Sequence, residues 1–216
     1  MSFARWALAG IGLAAVGSAV AYAQYRDTEE PDYDVLFKEG DFELRQYAPM
    51  VVAEITHTGE RRRAQSASFR RLAAYIFGKD RPAGDEEDIA MTAPVISERV
   101  DRDEKIAMTA PVFQNETAAN EWRMRFVMPA KYTLQTLPTP PSDIYLAELP
   151  RRRVATIRFS GNARDTDLII MEARLTDWIE SQGLKPAGGF EYAFYDSPMV
   201  PGPLRRNEVL IEIEKS

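Results

Sequence analysis

Cysteine is absent from all 216 residues, and histidine occurs once, as His57. Without thiols the chain has no disulfide, no thiolate nucleophile, no thiol-linked cofactor and no cysteine-based zinc site. A single histidine excludes any metal centre built on two imidazoles. A Ser-His-Asp site would have to run through His57, and no nucleophile is marked for it. No G-x-S-x-G elbow and no P-loop occur. Gly10-Ile11-Gly12 resembles a dinucleotide motif only weakly, because no strand precedes it. Positive charge is also short: 27 Lys and Arg stand against 33 Asp and Glu, a net charge of −6. That balance argues against a nucleic-acid partner. The arginines at 61–63, 70–71 and 151–153 read as solvated faces.

Hydrophobic residues make up 45% and charged residues 28%, ordinary proportions for a folded domain. The first 25 residues stand apart. Arg5 precedes an uncharged apolar run from Trp6 to Ala23, and Ala21-Tyr22-Ala23 places small residues ahead of Gln24. This is the pattern of a secretory signal. Its 18 residues also suffice for an uncleaved membrane anchor. The expectation is a signal peptide or N-terminal anchor over 1–25, a linker over 26–32 and one domain over 33–216. Such a domain would be periplasmic or otherwise extracytoplasmic, secreted or held at the inner membrane.

Phe42, Leu44 and Gln46 alternate with Glu43, Arg45 and Tyr47, and after Pro49 Val51, Ala53, Ile55 and His57 share one face. Residues 61–77 read as a helix with Phe69, Leu72, Ala73, Ile76 and Phe77 in one stripe, stopped by Gly78. Ile89-Ala90-Met91-Thr92-Ala93-Pro94-Val95 recurs letter for letter as Ile106 to Val112, 17 residues on. The copies read as two strand-like segments, and in a symmetric hairpin Thr92 would face Thr109. Trp122, Met124, Phe126 and Met128 mark a half-buried strand, and Pro138, Pro140 and Pro141 mark an irregular crossover. The second half echoes the first. A strand over 154–159 leads through Asn162, the expected N-cap, to a helix striped by Leu168, Met171, Leu175, Trp178 and Ile179. Strands over 190–195 and 209–213 follow, joined by a stiff proline-rich loop over 198–203. Two β-α-β-β repeats imply an α+β fold, a distorted antiparallel β-barrel or curved sheet with two packed helices.

The doubled Met-Thr-Ala-Pro-Val segment resembles the signature of the SOUL haem-binding family. Phe42 to Tyr47 is similar to that family's opening strand, and Trp122 to Pro129 to its strand ending in Met-Pro. Tyr192 to Pro198, with Arg206-Asn207-Glu208-Val209, is similar to its closing stretch. The likeness spans about residues 33–214, and the duplication looks more like bacterial members. It implies the same two-repeat fold. It also implies non-catalytic, non-covalent binding of haem or another porphyrin in an apolar groove beside the first helix, often without a strong axial ligand. Some members carry a histidine before the tyrosine of the opening strand; Gln46, a poor iron ligand, stands there in this chain.

Under that resemblance Phe69, Leu72, Ala73 and Ile76 line the groove, and Arg70 pairs with ligand carboxylates. Met91 and Met108 offer thioethers, Met199 offers a lid, and His57 is the one imidazole candidate for the iron. Each has a plainer reading: core packing for the methionines and the helix stripe, a solvated face for Arg70, a strand end for His57. Two other functions stay open. One is an effector-binding or interaction module for other amphipathic molecules, since fold alone fixes no ligand. The other is a tetrapyrrole-modifying enzyme, for which no set of acids is marked.

Overall fold

The alternating segments become nine strands of one antiparallel sheet in the computed structural model, which describes residues 28–81, 88–100 and 121–214. The elements are β1 (Tyr33–Glu39), β2 (Phe42–Tyr47), β3 (Met50–Thr58), α1 (Arg61–Ile76), β4 (Val95–Arg99) and β5 (Glu121–Val127). Then come β6 (Tyr145–Leu149), β7 (Arg152–Phe159), α2 (Asp165–Ser181), β8 (Pro186–Phe194) and β9 (Asn207–Ile213). The order across the sheet is β1-β2-β7-β9-β8-β4-β5-β3-β6. The sheet curls into a half-barrel with two helices, the expected α+β fold.

That order carries the internal repeat. β3-α1-β4-β5 and β7-α2-β8-β9 meet at the β4–β8 seam, where Val95 pairs with Phe194 and Ile96 with Ala193. Each repeat lends its preceding strand to the other: β2 pairs with β7, and β6 pairs with β3. The second loan adds a strand, Tyr145–Leu149, that the sequence pattern does not mark. Prolines 138, 140 and 141 end before the strand begins, so its backbone amides remain free to pair.

Each helix covers one half. Leu72, Tyr75 and Ile76 of α1 pack on Ala53, Ile55, Met124, Phe126 and Met128. Leu168, Leu175, Trp178 and Ile179 of α2 pack on Ala155, Ile157, Val209 and Ile211. Glu60 starts α1 by accepting from the amides of Arg62 and Arg63 at 3.0 and 3.1 Å. Gly78, at φ 68°, ends it as expected. The cap of α2 differs from expectation: Arg164 is the N-cap, and its amide donates to Asp167 at 3.0 Å. Asn162 falls short of the cap because Gly161, Asn162 and Ala163 form a turn, with Ala163 at φ 48°.

The first copy of the repeated heptapeptide also departs from expectation. Ile89 to Pro94 makes no strand ladder, which begins only at Val95. Pro94 has no amide to donate. The Thr92 hydroxyl donates instead to the Val127 carbonyl, and the Ala93 amide to the Glu29 carbonyl at 2.9 Å. The second copy, with Met108 and Thr109, lies outside the described residues, as does the apolar run Trp6–Ala23. Among the described residues no helix is long and apolar enough to cross a membrane.

Candidate functional site

The sheet face beneath the helices is left partly open where the halves meet. A groove of about 840 Å³ lies there, between α1 and the turn that leads into α2. Its volume falls in the ordinary range of small-molecule sites. Phe69, Met91, Ala93, Val95, Met124 and Phe194 supply apolar lining. Arg61, Arg62, Arg70, Arg164 and Arg205 also line it, with Asp196 the one acid among the lining residues.

These arginines are not equivalent. Arg61 is buried and spent on structure, pairing with Asp165 and donating to the Ala163 carbonyl at 3.1 Å. Arg205 donates to the carbonyls of Val200 and Pro198, at 2.7 and 2.5 Å, and so shapes the proline-rich loop. Among the described residues Arg70 reaches only the Ser66 hydroxyl, at 3.0 Å, and makes no ion pair. The wall opposite α1 is close-built. Asn207 donates to the Gly161 carbonyl at 3.0 Å, and a Cβ on Gly202 would meet the Asn162 side-chain oxygen at 2.7 Å.

Behind this wall lies a buried charge cluster made from both ends of the chain. Arg45 donates to the two Glu208 oxygens at 2.6 and 3.0 Å and to the Tyr47 hydroxyl at 3.1 Å. Tyr195, which lines the groove, donates to Glu208 at 2.7 Å, and Arg206 adds two bonds at 3.0 and 3.1 Å. Burial alone would push the Glu208 carboxyl up, but Arg45, Arg206 and Tyr195 hold it below its ordinary range. Burial, then the charge of Glu208, pushes the Tyr195 phenol well up, so it remains a neutral donor. Burial likewise raises Tyr47 to about 12, against the pull of Arg45. The closing Arg206-Asn207-Glu208 stretch is thus a brace for the groove wall.

The structure brings Phe69, Arg70 and Met91 together in the groove and leaves the other described candidates elsewhere, Met108 lying outside the described residues. Leu72 and Ile76 are sealed in the α1 core, and Ala73 packs against it. His57 lies outside the lining of either cavity, its Nδ1 2.9 Å from the Ser68 hydroxyl oxygen of α1. Gln46 sits on β2, outside the lining, and Met199 projects into solvent beside it. Arg71 is engaged by Asp143 at 2.6 and 2.7 Å and by Asp80 at 2.5 Å. Sequence reasoning missed Arg62, Arg164 and Phe194. Their common signal is position: each flanks the start of a helix or the end of a seam strand.

A second hollow, of about 390 Å³, lies across Thr92, which lines both. Met50, Val51, Met128 and Tyr132 share its lining with Glu29, Glu30, Asp32 and Glu148.

The sequence model of the SOUL heme-binding protein family matches residues 28–103 and 96–212. No curated protein matches the chain. Among solved structures, the C-terminal domain of EcmrR is 12% identical with a TM-score of 0.56, over 85% of this chain and 99% of that one. EcmrR in its DNA complex gives 13% and 0.57, over 98% of this chain and 69% of that one. A hydrolase from Listeria innocua gives 12% and 0.52, over 83% and 94%. At these identities the likeness is one of fold alone.

Proposed function

The chain belongs to the SOUL heme-binding protein family, and on that premise we propose that its groove binds haem or a related tetrapyrrole, non-covalently and without catalysis. The observation that carries this reading is an apolar lining beneath a cationic rim, the pattern that fits a flat apolar ring bearing carboxylates. Phe69, Met91, Val95, Met124 and Phe194 would hold the ring, each Å² of buried apolar surface contributing roughly 25 cal/mol. Arg62, Arg70 and Arg164 would meet the carboxylates. Bound haem would supply a redox-active iron. Among the described residues, the iron-ligating types in the groove lining are the Met91 and Met124 thioethers and the Tyr195 phenol, which is held by Glu208, and His57 lines neither cavity. Recognition therefore rests on shape and charge, and metal-free porphyrin should bind comparably.

Titrating the full chain in mild detergent with haemin, and in parallel with protoporphyrin IX, tests this by absorbance. Saturable one-to-one binding of both, weakened by Phe69→Glu, is the expected result. Absence of saturable binding by either pigment would overturn the reading, and a strong preference for the iron form would overturn its shape-selective part. The proposal also keeps residues 1–25 as signal or anchor and the domain outside the cytoplasm. Mass spectrometry of the native N-terminus decides between them, a start at Gln24 meaning cleavage.

A further inference from the structure

The mouth of the groove carries exposed apolar side chains beyond those that would hold the ligand. Phe69 in its wall is 39% exposed. Met199 and Leu204 are 78% and 58% exposed, on a loop whose ends, Pro198 and Arg205, line the groove. Single exposed apolar side chains are ordinary, but a group of them rimmed by charge marks an interaction surface.

The charge here opposes that of the whole chain. Arg62, Arg70 and Arg164 make no ion pair among the described residues, while the net charge of the chain is −6. The acids on this face are already engaged. Asp165 pairs with Arg61, Asp196 accepts from the Arg206 amide at 2.6 Å, and Glu60 caps α1. Glu60 and Asp196 keep their charge, so what remains is a modest cationic excess beside apolar surface, a combination that suits an anionic lipid surface.

The path of the chain points the same way. Ala93, a groove residue, donates its amide to the Glu29 carbonyl at 2.9 Å. Glu29 itself lines the acidic hollow, so the chain enters the fold beside the Thr92 wall that the hollow shares with the groove. Only residues 24–28 separate Glu29 from the apolar run Trp6–Ala23. Five extended residues reach roughly 17 Å. With that run in a bilayer, the leaflet surface lies within this reach of the groove wall.

We propose that the groove mouth docks on the anionic surface of a bilayer, with Phe69, Met199 and Leu204 entering the interface and Arg62, Arg70 and Arg164 meeting lipid phosphates. This goes beyond the tetrapyrrole reading and stands without it. Where both hold, the ligand enters the groove from lipid and not from water.

The cysteine-free chain makes the test direct. The full-length protein, carrying Met199→Cys or Tyr145→Cys, is labelled with an environment-sensitive fluorophore and reconstituted into vesicles. Tyr145 is the control: it is 65% exposed on β6 and pairs with Glu54, whose side chain meets Arg125 on the sheet face away from α1. With phosphatidylglycerol in the vesicles, the label at 199 should shift to shorter wavelength and be quenched by spin-labelled lipid, while the label at 145 should not. Arg62→Glu with Arg70→Glu, or vesicles of phosphatidylcholine alone, should return the label at 199 to water-like emission. Water-like emission at 199 on the anionic vesicles, or equal shielding at both positions, overturns the proposal. So does a shift at 199 that appears without vesicles and grows with protein concentration, which would mark a contact between copies. Haemin titration of the same variants in detergent reads the ligand separately, so either proposal can fail alone.

Discussion

Two cavities share Thr92 as a wall and carry opposite charge. Five arginines and one aspartate line the groove; four carboxylates and no basic residue line the smaller hollow. Net charge therefore predicts neither. A chain of net charge −6 argues against a broad anionic partner, yet it concentrates cations at the one opening where two helices begin. The same brace stands behind both. Glu208 holds Tyr195 of the groove, and through Arg206 it reaches Glu30 of the hollow, whose carboxylate oxygens lie 3.0 and 3.1 Å from that guanidinium.

Removing that brace should produce the largest effect. Glu208→Ala removes the bidentate partner of buried Arg45 and leaves it only the Glu43 carboxylate, 2.7 Å away; breaking such a buried pair typically costs about 3 kcal/mol. Urea unfolding should report that loss, and both cavities should lose definition together. The pH profile carries the same sign. The Glu208 and Glu191 carboxyls are held below their ordinary range in the fold, Glu191 by Arg152 and Arg125 against the effect of burial. Their stabilisation is full above the unfolded value of about 4.3 and is lost as pH falls through the lowered folded values. Tyr47 acts at the other end. Its folded value of about 12 exceeds the unfolded value of about 10, so its contribution is full below pH ~10 and is lost between ~10 and ~12. Thermal melts across pH should show both flanks, and Glu208→Gln should flatten the acid one.

Thr92→Val tests the shared wall. It keeps the shape but takes the hydroxyl from the buried Val127 carbonyl, at a cost of about 1–3 kcal/mol in denaturant unfolding. A smaller effect comes from charge at the rims. Arg62→Glu with Arg70→Glu should weaken haemin binding roughly tenfold, about 1.4 kcal/mol, since exposed pairs are each worth about 0–1 kcal/mol. The loss should shrink as salt rises. Asp32→Lys with Glu148→Lys, across the wall, should change binding by less than about twofold. Equal responses from the two pairs would mean that net charge, not local charge, governs the site.

The repeat architecture was legible because periodicity survives in one sequence. The stripes of Leu168, Met171, Leu175, Trp178 and Ile179, and of Trp122, Met124, Phe126 and Met128, face the core, with Met171 and Trp122 half-buried and the rest buried. The site was legible only in part. Leu72, Ala73 and Ile76 share a stripe with Phe69, but the sheet covers the stripe and leaves Phe69 at its open edge, a distinction that helical spacing cannot make. Arg62 and Arg164 enter the groove because a strand exchange brings two distant helix starts together, and nothing local announces that. Arg45, Tyr195 and Glu208 fell within family-like motifs, yet their pairing runs across 163 residues between Arg45 and Glu208. The doubled heptapeptide reads as two strand-like segments, but in its first copy Pro94 and Thr92 take the backbone out of the ladder.

His57 gives the smallest effect. It lies on β3, opposite Trp122 of β5, and belongs to neither cavity. Its ring meets the Ser68 hydroxyl of α1 at 2.9 Å, a contact that ties a strand end to a helix. His57→Ala should cost about 0.5–1.5 kcal/mol in unfolding, the ordinary value of one such bond. It should leave the Soret band and the haemin affinity unchanged, because nothing connects the ring to the groove. A Soret shift in this variant would put the iron at His57, beyond reach of the arginine rim. The charge contrast between the cavities would then have no bearing on the ligand.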